Sequence, residues 1–520
     1  MDIIVTAEQM KMAERYMIEE LGQPSVVLME KAAERVFEVA CSLCEDIFDE
    51  DFLVTVLCGC GNNGGDGMAV ARMMHQRGIN VCACIIGDED RSTEEFRLQK
   101  KIYVGLGGEL SETPEYESDL VIDAMLGIGV KGSVRDELSE IIDELNATHN
   151  DIGNVVVSID IPSGLNADTG VVMGSAVYAD YTVCLGCYKA GILLNDGPSH
   201  CGQYINYDIG IEPPSECVAL RPDYDDIYSL IPRRYEQSNK STYGKVAIIA
   251  GSHGMPGAAV LSTRAALASG VGMVKLLTDE SLVPMFADIL PEVMVDSYYV
   301  GGYYDSDCDY SDVNCEVIDE AIEWCDAILI GPGLGRDSLA EDVFLHVMDC
   351  SNKCGKPIVI DADGLYHLSA HMNILRDRKG ISTILTPHPG EFARLFGTEI
   401  IEGKHQDIGF LKSLAREYNV TLLAKDYTSI VAADTTYSNA VFINTFGTNA
   451  LATAGTGDVL AGLTLTMLVN IENAAEACLV SNAIHGLAGI LASEDTNDRA
   501  VTASDVVCNI PEAINKINVH

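Results

Sequence analysis

Through the first 215 residues or so, short apolar segments alternate with stretches of helical spacing. The strand-like segments are Phe52–Cys58, Ile79–Ile86, Asp119–Ala124, Asn154–Ile161 and Tyr181–Leu185. Strands that are apolar on both faces belong in a parallel sheet covered by helices on both sides. Sheets of that kind take their ligands at the carboxyl ends of the strands. A helical stretch precedes the first strand: Met10, Ala13, Met17 and Leu21 share one face, Gly22-Gln23-Pro24 interrupts, and a second helix runs through Val36 and Val39. The fold class expected is therefore α/β.

A chain of 520 residues is too long for one core, and the usual domain size of roughly 150 residues predicts two to four domains. Ile211-Glu212-Pro213-Pro214 blocks helix and sheet alike, and a polar, turn-rich stretch follows. This divides the chain into 1–220 and 226–520. The formal net charge of −45 argues against a nucleic-acid partner. Glu45–Asp51 and Asp296–Asp319 carry much of that charge and read as solvated faces. Arg233, Arg234, Lys240 and Lys245 form the clearly basic patch, either a surface linker or a segment leaning over a bound nucleotide. No apolar run approaches the ~18 residues of a membrane helix, and the N-terminus has no signal-peptide pattern. The 17 cysteines lack a framework spacing, and Cys184-Leu185-Gly186-Cys187 has no second pair to complete a zinc site. They read as small buried hydrophobes in a reducing cytoplasm.

Three strand ends of the first half carry glycine and acid together. Cys58–Gly67 reads CGCGNNGGDG. It lacks the Gly-Lys-Ser/Thr of a phosphate loop and fits the dinucleotide fingerprint only loosely. It supplies backbone N–H groups at a helix start, with Asn62, Asn63 and Asp66 as oxygen donors. The others are Asp123–Gly129, DAMLGIG, and Asp160–Gly170, DIPSGLNADTG. Turn chemistry explains any one of them, but three in succession on one sheet edge point to a site.

The second half repeats the pattern. Val246–Ala250 reads as a strand followed by GSHGMPGAA. Later strand ends carry Gly331-Pro332-Gly333-Leu334-Gly335, Asp361-Ala362-Asp363-Gly364, Thr386-Pro387-His388-Pro389-Gly390-Glu391 and Ala424-Lys425-Asp426. The stretch Asn444–Gly462, NTFGTNALATAGTGDVLAG, follows a strand-like segment at 440–443. A helix starting near Gly457 would aim free N–H groups and its positive end at a phosphate. Asp458 would then be placed to take a proton from a hydroxyl attacking that phosphate, or simply to cap the helix.

GNNGGDG, DAMLGIG and IDIPSGLNADTG resemble the N-terminal domain of the NAD(P)H-hydrate epimerases, over residues 1–215. The resemblance implies a Rossmann-like three-layer sandwich. It implies substrate contacts from Asn62, Asn63, Gly64, Gly65 and Asp66, and from Gly127, Ile128, Gly129, Val130, Lys131, Gly132 and Ser133. It also implies a potassium ion held by Asn63, Asp123 and Ser163, with Asp160 beside the reacting ring as the candidate catalytic group. Ile128 stands where similar loops often carry threonine. TPHPGEFARLFG, DADGL, GPGLG and NALATAGTGDVLAG resemble the ADP- or ATP-dependent NAD(P)H-hydrate dehydratases, of ribokinase-like fold, over about 226–515. That resemblance implies contacts to the hydrated dinucleotide from Ala258, Gly333, Gly335, His388 and Asp458. It places Lys425, Asp426, Tyr427, Thr428, Ser429 and Gly457 on the nucleotide, with magnesium. Here the family usually reads Lys-Gly; Asp426 brings negative charge and Tyr427 bulk. Together the halves imply a cytoplasmic repair enzyme, assembled as a homo-oligomer. It would epimerise the R and S hydrates of NADH and NADPH (NADHX and NADPHX) and dehydrate the S form. Two alternatives are a ribokinase-like kinase for a vitamin precursor and a first domain that only senses or scaffolds.

Overall fold

A computed structural model describes the chain except for residues 45–51, 131, 135, 301–311, 399–402, 434–440 and 520. Lys131, the acidic run at 45–51 and the middle of the acidic segment 296–319 thus lie outside the described residues. The chain divides into two compact units, Asp2–Ala219 and Leu220–His520.

In the first unit Thr6 caps the opening helix Ala7–Arg15 in a capping box with Gln9, and one π-helical turn, Tyr16–Glu20, continues it. Helix Ser25–Cys44 follows. Seven parallel strands form the sheet. In spatial order they are Glu109–Ser111, Asn80–Ile86, Leu53–Gly59, Leu120–Ala124, Val155–Ile159, Tyr181–Leu185 and Gln203–Tyr207. Val56 lies between Ala83 and Ile122 and, like Val54 and Leu57, is fully buried, as a strand covered on both faces must be. The chain builds outward from Leu53–Gly59 in one direction, then returns to Leu120–Ala124 on its other side. The switch point falls between these two strands, where ligand crevices open in such sheets.

The second unit does the same. Its strands run Met294–Ser297, Met273–Thr278, Lys245–Ile249, Ala327–Ile330, Ile358–Ile360, Thr383–Leu385 and Thr421–Ala424, all parallel, then Ser429–Ala432 and Val441–Asn444, antiparallel. The switch falls between Lys245–Ile249 and Ala327–Ile330, and Gly251 N–H donates to the Pro332 carbonyl across it at 2.9 Å. Helices Pro256–Ala268, Thr456–Asn470, Ala474–Asp495 and Ala503–Val519 pack together in the core. Ala474–Asp495 is apolar enough to span a bilayer by length and composition, but its residues are buried within the unit.

Strand ends differ from the sequence expectation by one or two residues. Cys217, Cys315, Cys354 and Cys508 are exposed, which corrects the expectation of buried cysteines; Cys184 and Cys187 are buried.

Candidate active sites

In the first unit the loops after Gly59 and Ala124 meet at the switch point. A side chain on Gly59 would lie 1.9 Å from the Met125 carbonyl, so only glycine admits the approach. The helix Asn62–Gln76 begins there, with Gly61 as its cap. Around this start opens a cavity of 930 Å³, lined in part by Asn62, Asn63, Asp66, Gly127, Ile128, Gly129, Val130, Gly132, Ser133 and Asp160. Gly64 and Gly65 do not line it: a Cβ on Gly64 would sit 1.7 Å from the Gly59 carbonyl, and one on Gly65 2.5 Å from the Met29 methyl. Their bareness serves helix packing.

Asp123 is buried behind the loops. It accepts from Ser163 N and Ser158 Oγ, each at 2.8 Å, from Met125 N at 3.2 Å, and from Ser163 Oγ. Burial raises its carboxyl above the usual range, and these hydrogen bonds oppose the rise. Asn63 Nδ2 donates to the Leu126 carbonyl at 3.0 Å, and Leu126 N–H donates to Ser163 Oγ at 2.8 Å. Asn63, Asp123 and Ser163 therefore converge through the Leu126 peptide. Their side-chain oxygens, with a single carboxylate among them, would suit a hard cation.

Asp160 follows the strand Val155–Ile159 with φ of +67°, strained for a residue with a side chain. Its Oδ1 accepts from Leu185 N–H at 3.1 Å and from the ammonium of Lys189, which also donates to the Leu185 carbonyl at 2.8 Å. Lys189 is 0 % exposed. The sequence reading missed it, although a lone lysine in the apolar run CLGCYKAGILL was a signal. It also missed Glu14, which lines the cavity and which no motif marks.

In the second unit glycine again permits close approach. Gly331, at φ +126°, would place a Cβ 1.9 Å from the Asp361 carbonyl. Gly333, at φ +60°, packs on Met255 and Ala258. Gly335 N–H donates to Asp363 Oδ2 at 3.0 Å, and Arg336 holds the other oxygen at 2.7 Å. Between the two acids Ala362 is held at φ +50°, a second strained position at a strand end. His388 caps the helix Pro389–Phe396: its Nδ1 accepts from Gly390 N–H at 3.0 Å, and its Nε2 lies 3.5 Å from the buried Glu391 carboxylate.

Gly455, at φ +93°, opens the helix Thr456–Asn470, and Asp458 is its third residue. Thr456 Oγ1 ties the turn to the Leu451 and Thr453 carbonyls at 2.9 and 3.0 Å. Lys425 leaves the strand Thr421–Ala424 and pairs with buried Asp361 at 2.8 Å; a Cβ on Gly457 would stand 3.4 Å from its Nζ. Burial would lower the Lys425 ammonium, but Asp361, Glu391 and Asp458 outweigh it and the ammonium is raised. The Asp458 carboxyl is pushed up to about 7, first by burial, then by Asp361, with Lys425 opposing.

Two expectations change in detail. Asp426 does not stand as free charge: Oδ2 accepts from His405 Nε2 at 2.7 Å and Gln406 Nε2 at 3.0 Å, and Oδ1 from Tyr427 N at 2.7 Å. Arg234 of the basic patch donates to the Gly270 carbonyl and stacks on Tyr243, 4.1 Å from the ring centre. Thr428 and Ser429 are buried, and Tyr427 is exposed.

The model of the NAD(P)H-hydrate dehydratases matches residues 246–512, and that of the YjeF-related protein N-terminus matches 25–191. The bifunctional NAD(P)H-hydrate repair enzyme of Dictyoglomus turgidum is 32% identical over 99% of this chain and 98% of its own. That of Escherichia coli is 30% identical over 98% and 93%. A ribokinase-like superfamily protein from Enterococcus faecalis shares the second fold, with a TM-score of 0.50 and 24% identity over 58% of this chain and 96% of its own. Whole-length identity and both domain models agree, and the chain belongs to the family of bifunctional NAD(P)H-hydrate repair enzymes.

Proposed function

We propose that the first unit epimerises the R and S hydrates of NADH and NADPH around Asp160, and that the second dehydrates the S form through Asp458, consuming ADP or ATP. Hydration of the reduced ring gives two epimers, and a dehydratase selective for one would strand the other. An epimerase on the same chain removes that limit.

The observation that carries the dehydratase assignment is the placing of Asp458 at the start of Thr456–Asn470, with its carboxyl near 7 and Lys425 alongside. A base titrating near the working pH is free to accept a proton. Asp458 takes the proton of the C6 hydroxyl as that oxygen attacks the terminal phosphorus. The N–H groups of the helix start then receive the phosphoryl oxygens, and Lys425 adds positive charge. The phosphate leaves C6, driven by the ring nitrogen lone pair, and the N1=C6 iminium so formed loses a C5 proton to solvent, which makes the C5=C6 bond and returns the dihydropyridine. On this reading His388, Ala258, Gly333 and Gly335 would contact the dinucleotide, and Lys425 to Ser429 with Gly457 the nucleotide.

Among the described residues no three acidic, histidine or cysteine side chains converge as a metal cage. Magnesium therefore fits here as a companion of the nucleotide phosphates, whose charge it would neutralise. In the first unit Asn63, Asp123 and Ser163 would hold potassium, which would fix the loops around the substrate.

The test is a mixture of R and S hydrated NADH with ADP or ATP and magnesium, followed by the returning absorbance of the reduced ring. Full recovery supports both activities. Recovery of only half the mixture removes the epimerase, and recovery of none removes the dehydratase.

A further inference from the structure

The cavity of the first unit contains a carboxyl group that no motif announces. Lys11, Glu14 and Ile18 follow one another at helical steps and all line the cavity, so one face of this segment is turned into it. Asp66 and Asp160 line it from two other elements. Both signs of charge act on Glu14. Burial, then Asp160, raises its carboxyl above the ordinary range, while Lys189 and Lys11 oppose that rise. Asp66 is different: burial, Asp160 and Glu14 all push it upward, far above the ordinary range, with no cation opposing. A group that must lose and regain a proton in each turnover needs surroundings that tolerate both forms. Glu14, on the helical face turned into the cavity, has cations as well as a carboxylate acting on it, whereas Asp66 has carboxylates alone.

We propose that Glu14 is the proton-carrying catalytic partner of Asp160 in the epimerisation, an assignment that rests on the epimerase reading of this unit. The Glu14 carboxyl gives its proton to the C6 hydroxyl as the C6–O bond breaks, and water leaves. The ring nitrogen lone pair becomes the N1=C6 bond of an iminium cation, whose charge the Asp160 carboxylate balances. Water adds to the opposite face of C6, the π pair returns to nitrogen, and the proton shed by that water passes to Asp160. Proton exchange with solvent then restores both carboxyl groups. Nothing is oxidised or reduced.

The experiment uses the full chain without nucleotide, with R-hydrated NADH, and follows the approach of the two epimers to equilibrium by chromatography. Glu14→Gln lowers epimerisation kcat about 100-fold, with KM changed less than about threefold, and removes the loss of activity on the alkaline side. Glu14→Asp keeps the carboxyl but shortens its reach, and lowers kcat about tenfold. The dehydratase rate of each variant on S-hydrated NADH with ADP or ATP matches the parent chain. The inference is overturned if Glu14→Gln keeps its kcat, if it loses only KM, or if Asp66→Asn and not Glu14→Gln collapses kcat. A parent chain that does not interconvert the epimers overturns the underlying epimerase reading instead.

Discussion

Asp160 and Asp458 each have a buried or half-buried lysine nearby, yet the two sites are wired differently. Lys189 binds Asp160 itself, from a position with no exposure. Lys425 binds Asp361 instead, and Asp458 feels that ammonium only at a distance. The consequence is electrostatic. A carboxylate in direct contact with its cation has its charge balanced in place. One beside an already spoken-for pair is relieved only in part, and its carboxyl rises to about 7. The first arrangement suits a carboxylate that faces a cationic intermediate and then takes up the proton of the incoming water. The second suits a base that must be empty at neutral pH and able to fill.

That contrast breaks most sharply at Asp458. Asp458→Asn lowers dehydratase kcat about 1,000-fold, in the range lost with a general base, while epimerisation is unchanged. Dehydratase kcat/KM falls as pH drops below about 7, because protonation fills the base. An acid limb near 4 would show that the carboxyl is not raised. At Lys189 the effect is on folding. Lys189→Met leaves the Asp160 charge buried without its partner and destabilises the first unit by about 3–5 kcal/mol in urea unfolding. Adding Asp160→Asn restores most of that loss. Unchanged unfolding in Lys189→Met would mean that the pair is not formed.

A smaller effect tests the same difference from the other side. The raised Asp458 carboxyl favours the folded state when protonated, and that contribution is lost as pH rises through about 7. Above that pH the ionised form costs stability. Asp458→Asn therefore stabilises the second unit at pH 8 by about 1–2 kcal/mol, after discounting for its partial exposure, and has little effect at pH 5. Equal stability at pH 8 would remove the strain assigned to this site.

The same contrast explains what the sequence could disclose. GTGD was legible because the helix, its glycine start and its acid are contiguous, and the chemistry of a helix start is local. The parallel sheets were legible because both-face burial writes a continuous apolar run. Lys189 and Glu14 were not, since their meaning comes from Asp160, which the fold brings to them from another part of the chain. Asp361 and Asp363 were seen as a motif, but only the structure gives them to Lys425 and Arg336. Gly64 and Gly65 show the opposite limit. A glycine that admits a ligand and one that admits a neighbouring backbone look alike in sequence, and only the 1.7 Å approach to Gly59 separates them.

Asp426 gives the smallest effect. Read from sequence, a carboxylate in place of the usual glycine should repel a nucleotide. In the folded chain burial would raise this carboxyl, but hydrogen bonds from His405, Tyr427 N–H and Gln406 outweigh it, and it lies below the usual range. Both oxygens are thus engaged by the chain itself, and the residue ties the Lys425–Ser429 loop to the turn at Lys404–Gln406. Asp426→Gly should then loosen the loop more than it relieves repulsion, and raise the KM for ADP or ATP about threefold with kcat little changed. A fall in KM would mean that the carboxylate faces the phosphates. His405→Ala separates the two cases further. It removes one of the three hydrogen bonds to the carboxylate and keeps the charge, so it should raise KM, because less-compensated negative charge is added to a loosened loop.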